Sequence, residues 1–183
     1  MPISMYQASL PPLVHMLNNL KALLQKGVAH ADARKFESTV LVSARLAPDM
    51  YPLSRQVQIA CDVAKGCGAR LAGVEPPKFE DKESTMDELL ARVDKTLAFL
   101  GKLKAKQIDS SEGRTITLKF PSMTLNFTAQ EYLQGFVMTN FYFHVSMVYA
   151  ILRHNGVEIG KRDYLGGGGP RPQRRKVSKK KKR

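Results

Sequence analysis

Leucines at 10, 13, 17, 20 and 24 recur at spacings of three and four, the repeat that lines residues up along one face of an α-helix. A stripe of this kind has to be buried, so its partners should be further stripes of the same period. Three more follow in the sequence. Leu53, Val57, Ala60, Ala64 and Leu71 form the second. Leu89, Val93, Leu97 and Leu100 form the third, and Val137, Asn140, His144, Val148 and Ile151 the fourth. Four amphipathic segments of this length predict an all-α domain built as an antiparallel four-helix bundle.

Local signals place the ends. The first helix is predicted over 4–26, with a kink or restart at Pro11–Pro12 and a stop at Gly27. Short helical turns are expected within 28–47. The second helix is predicted over 49–72, with Asp49 as its N-cap and Gly73 and Pro76–Pro77 as its stop. Thr85 and Glu88 have the spacing of a capping box and open the third helix. The period then changes. Ile116, Leu118 and Phe120 alternate, as do Leu125 and Phe127, on either side of Pro121–Ser122–Met123, so residues 114–127 are predicted as a small β-hairpin before the last helix. A second capping box, Thr128 with Glu131, opens the last helix over 129–155, and Asn155–Gly156 closes it.

The formal charge of +13 is unevenly spread: nine of the 29 Lys and Arg residues lie within 171–183, where there is no acid. Residues 1–170 therefore hold 20 basic against 16 acidic groups, a net of +4. The chain is read as one domain over 1–166 and a disordered Gly-rich linker and basic tail over 167–183. In that tail Arg174, Arg175, Lys176, Lys179, Lys180, Lys181, Lys182 and Arg183 are dense enough for a nuclear import receptor or a polyanion. No apolar run approaches the roughly 20 residues of a membrane span, and the start lacks the pattern of a secretory signal. Cys61 and Cys67, six residues apart on one helix, point in directions about 120° apart. They are expected to be buried, reduced thiols of a cytoplasmic protein.

Several whole blocks, "MYQASLPPLVHMLNNL", "ARLAPDMYPLSRQVQIACD", "RLAGVEPPKFED" and "NFYFHVSMVYAILRHNGVEIGKRDYLG", resemble a domain-of-unknown-function family related to the DinB/YfiT-like proteins. The resemblance covers residues 4–166 and implies a DinB-like four-helix bundle. The wider group is regarded as metalloenzymes, some of them thiol-dependent transferases or isomerases, with one histidine early in the second helix and two in the fourth. Here the second-helix segment "LAPDMYPLSRQVQ" has no histidine, and Val148 stands one turn after His144. The metal triad is absent, His144 is the one position that could match a ligand, and no cofactor is identifiable.

His144 and His154 are ten residues apart, about 15 Å along a helix, so they cannot share an ion. His154, one residue before the helix end, is assigned to the negative end of the dipole. His144 lies on the core face, with Asn140 as its hydrogen-bonding partner or the two together lining a central pocket. The resemblance brings the start of the second helix to the same cavity, so Asp49 facing His144 would make a carboxylate–imidazole pair able to move protons. Gln56, two turns beyond Asp49, would add an amide to that pocket or lie at the surface. His15 and His30 are read as solvated, and Tyr51 and Tyr142 as packing aromatics. The leading functional reading is a small-molecule-binding or protein-interaction module, with homodimerisation through its helix faces. The alternatives are an enzyme using His144 with Asp49, metal-assisted or not, and a nuclear or nucleic-acid-associated protein acting through the tail.

Overall fold

The computed structural model describes residues 3–167, so the basic residues from Arg174 to Arg183 lie outside the described residues. The chain is mostly helical, in the order α1 (Met5–Arg34), α2 (Thr39–Ser43), α3 (Leu53–Ala72), α4 (Met86–Leu100), α5 (Ala105–Ile108), β1 (Thr115–Lys119), β2 (Thr124–Thr128), α6 (Ala129–Glu131), a π-helical segment (Tyr132–Val137), α7 (Met138–His154) and α8 (Lys161–Tyr164). The two strands pair antiparallel, with Ile116 opposite Phe127 and Leu118 opposite Leu125. This is the alternation the sequence predicts, and Phe120 and Met123 bond each other's backbone across the turn.

The helix α3 is central. It packs most extensively on α7, and also on α4 and α1, so nearly its whole circumference is covered. Where α3 meets α4 the approach is close enough that a Cβ at Gly68 would stand 2.6 Å from Leu100 Cδ2 and 2.8 Å from Leu103 Cδ1. The leucines of the first stripe are fully buried, as are Val57, Ala60, Leu89, Val93 and Val148.

Two predicted boundaries are corrected. The first helix does not stop at Gly27 but continues to Arg34, where Lys35 takes the left-handed conformation (φ 56°). Gly27 is buried inside the helix, and a Cβ there would meet Leu152 and Met86 at 3.1 and 3.2 Å. The glycine therefore permits a close helix crossing instead of ending the helix. Pro11 and Pro12 cause no restart, since the helix runs through them and Pro11 faces solvent. Asp49 is not the cap of the second helix, because α3 begins four residues later, after Pro52, which has no side chain to cap with.

Both capping boxes form. Thr85 Oγ1 accepts from the Glu88 amide, while Glu88 accepts from the Thr85 amide, and Thr128 and Glu131 do the same. The described helix over Ala129–His154 is 26 residues long and meets the length and composition of a membrane span, contrary to the expectation of no such run. Its apolar face is packed inside the protein, against α3 and α1: Phe141, Val145, Val148 and Leu152 are buried.

Candidate functional site

His144 is 8% exposed and Gln56 2% exposed, and they meet across the α3–α7 packing face, His144 Nδ1 to Gln56 Oε1 at 2.6 Å. The other end of the Gln56 amide donates from Nε2 to the Tyr51 carbonyl at 3.2 Å. A carbonyl can only accept, so Tyr51 sets the orientation of the Gln56 amide and turns Oε1 toward the imidazole. Nδ1 therefore donates the proton, and Nε2 is left with its lone pair. Nε2 makes no hydrogen bond among the described residues. The fully buried side-chain polar atoms without a partner there are Arg92 Nε and Ser111 Oγ, so Nε2 keeps contact with solvent. Burial, and then the charge of Arg55, push the imidazole pKa below its ordinary value, which leaves the ring neutral at pH 7. The exposed Phe143 ring meets the imidazole edge on, with centroids 5.2 Å apart.

The other predicted residues fall elsewhere. Asp49 is exposed, in the turn before α3, and neither hydrogen-bonds His144 nor contributes to its pKa shift. Asn140 is half-buried and lines a separate groove, so the partner of His144 is Gln56, not Asn140. Gln56 is not a surface residue. His154 is the exposed last residue of α7, at the helix end where the sequence placed it. His15 is exposed, and its Nε2 lies 3.2 Å from the Leu165 carbonyl. His30 belongs to α1, packed edge-on against Phe36, and is not in a solvated polar segment.

Sequence reasoning missed a buried ion cluster. Arg92 of α4, 2% exposed, binds Asp62 at 2.7 Å, Asp81 at 2.9 Å and Glu83 at 2.9 Å, and donates to the Glu80 carbonyl at 3.2 Å. Burial alone would lower its pKa, but the hydrogen bond to Glu83 and the charges of Asp62 and Glu83 raise it. Lys65 also pairs with Asp62, at 2.7 Å, and Arg55 pairs with Asp81. The cluster ties the 73–85 connection to α3 and α4, with Phe79 lying under both Lys65 and Arg92. One signal was available: Arg92 stands one residue from Val93, close to the apolar stripe. Cys61 and Cys67 are free and fully buried, and burial pushes both thiols up to about 12.

Among the described residues no three His, Cys, Asp or Glu side chains converge to hold an ion. The donors around His144 are an amide and a backbone carbonyl, with a guanidinium nearby, and these do not fit the three-histidine site that the DinB-like resemblance implies.

A family model described as "Domain of unknown function (DUF1993)" matches residues 5–165. A crystal structure of a DinB family member protein from Shewanella denitrificans is similar to this chain at 39% identity and a TM-score of 0.80. The match covers 91% of this chain and 93% of that one. No curated protein matches.

Proposed function

The chain belongs to the DUF1993 family of DinB-like domains of unknown function, and from that premise we propose that it is a small-molecule-binding module whose ligand engages His144. The likeness supports reading the four long helices as a DinB-like four-helix bundle, with α3 and the last helix meeting at the ligand site. The observation that carries the proposal is the chain from the Tyr51 carbonyl through Gln56 to Nδ1. It places the imidazole proton and leaves Nε2 as an oriented acceptor that solvent reaches. A small molecule presenting an O–H or N–H group to Nε2, with an apolar part against Phe143, suits the site. The test is a fragment screen read on the imidazole 15N resonances of His144, in wild type and His144→Ala. Fragments that shift Nε2 and lose affinity in the variant support binding there. A screen whose binders all leave the His144 ring unmoved would overturn it.

A second reading is favoured by the same ring: neutral at pH 7 and oriented through its other nitrogen, it is equipped as a general base. In this reading a substrate found among the binders would be turned over, and His144→Ala would lower kcat by about 10² or more. Asp49 has no part in it, being exposed and outside the hydrogen-bonded set.

A further inference from the structure

Between α3, the hairpin and the π-helical segment lies a groove of about 280 Å³, to which Arg70, Leu118, Lys119, Tyr132, Phe136 and Asn140 contribute. We propose that this groove is a second ligand site, independent of His144, and that it takes a small aromatic carboxylate.

Arg70 is the anchor. Its guanidinium folds back along α3 over Gly66, where a Cβ would collide with it. There it donates from Nη1 to the Tyr132 hydroxyl at 3.1 Å and stands 5.9 Å from the Tyr132 ring centroid. Hydroxyl, ring and glycine thus hold the guanidinium in place. Among the described residues neither Arg70 nor Lys119 pairs with an acid. The one carboxylate in the groove wall, Asp62, is already neutralised by Arg92 and Lys65. The uncompensated charge of the groove is therefore cationic, and a pre-positioned guanidinium matches a planar carboxylate with paired hydrogen bonds.

The rest of the wall is apolar and aromatic. Tyr132 stacks on Phe136, with centroids 5.9 Å apart and an interplanar angle of 17°, and Phe127 packs against both at 6.2 and 6.1 Å. Tyr132 is only 1% exposed, so the half-buried Phe136 is the ring that this wall offers to the face or edge of a ligand ring. The Asn140 amide, two turns along from Tyr132, can both donate and accept toward a ring substituent. Drug-sized ligands occupy roughly 300–1,000 Å³, so this volume suits a one-ring compound. Tyr132 and Phe136 are supplied by the six-residue π-helical segment. Its i→i+5 hydrogen bonding is rare and recurs at functional sites, because the wider turn re-aims side chains.

The probe is phenylacetate, with benzyl alcohol (no carboxylate) and acetate (no ring) as controls, followed by backbone-amide NMR of the full chain. Phenylacetate should shift the amides of Arg70, Thr117, Lys119 and Asn140 in a saturable manner. Each control should bind at least about tenfold more weakly, and Arg70→Gln should weaken phenylacetate by about tenfold or more. Arg70 also supports Tyr132, so Lys119→Gln provides a second variant, expected to weaken binding by about two- to fivefold with the spectrum otherwise unchanged. The proposal is overturned if phenylacetate leaves these amides unshifted at millimolar concentration. It is equally overturned if benzyl alcohol binds as well as phenylacetate, or if both variants bind like wild type. The imidazole resonances of His144 should stay unshifted throughout; a shift confined to His144 would assign phenylacetate to that ring and overturn the groove.

Discussion

At His144 the position of one proton is decided two residues away, by a carbonyl that belongs to Tyr51, and this has a measurable consequence. The imidazole is held neutral by burial and by Arg55, so its folded pKa lies below the ordinary value while the unfolded chain titrates near 6.5. As pH falls below about 6.5 the unfolded state takes up the proton first. The contribution of His144 is thus fully present above that pH and is lost as pH falls toward the folded pKa. Urea midpoints should drop between pH 6.5 and 5 in wild type, and less steeply in His144→Gln; parallel slopes would contradict this. Gln56→Leu should cost about 1–3 kcal/mol, because it strands the buried Nδ1–H, measured by urea denaturation at pH 7. His144 itself was legible from its place on the apolar stripe. Gln56 was legible only as a candidate for the pocket, because stripe arithmetic does not say which polar groups meet across two helices, and α3 is covered by α1, α4 and α7. Gln56 itself falls on the second stripe, three residues after Leu53 and four before Ala60, and its amide finds its partner on α7.

At the scale of elements, the signals that read correctly are those in which a side chain satisfies its own backbone. The two capping boxes and the alternating hairpin need no information about neighbours, and both stand as the sequence implies. Thr85→Ala should accordingly cost about 1 kcal/mol, read from the urea midpoint. Glycine is where local reading fails, since one residue type serves opposite purposes. Gly73 ends a helix in the left-handed conformation (φ 69°), whereas Gly27 sits inside one so that Leu152 and Met86 can approach. The sequence offers no period by which to expect the π-helical segment, whose extra residue per turn is accommodated by what it packs on. Within it, Gly135 has nothing within 4 Å of a built Cβ. Gly135→Ala should therefore stabilise the protein by about 0.5–1 kcal/mol through the unfolded chain, seen as a raised melting temperature. A lower one would mean that the segment needs the freedom of glycine.

At the scale of the whole molecule, the 73–85 connection, which has no regular structure of its own, is fastened by charge to α3 and α4. Arg92 compensates three carboxylates at once, so Arg92→Met leaves them facing one another in a partly buried place. The expected loss is about 3–5 kcal/mol, together with faster proteolytic nicking within 74–84 than elsewhere in the chain. Uniform cleavage would show that the connection is held by other means. Beyond the place of Arg92 beside the apolar stripe the cluster was not legible in the sequence, because Asp62, Asp81, Glu83 and Arg92 are brought together only when the 73–85 connection folds over α3 and α4. The burial of α3 has also sealed in two thiols, Cys61 facing Thr96 of α4 and Cys67 on the side of Tyr132, neither of which reaches water or ionises near neutral pH. A folded molecule is thus inert to alkylating reagents, and each molecule modified must first have opened. The chain carries its own stopwatch. At low reagent the rate of mass gain reports how often α3 is exposed, and at high reagent it reports how fast. If Cys61 and Cys67 are modified in step, the long helices part from one another as a single event.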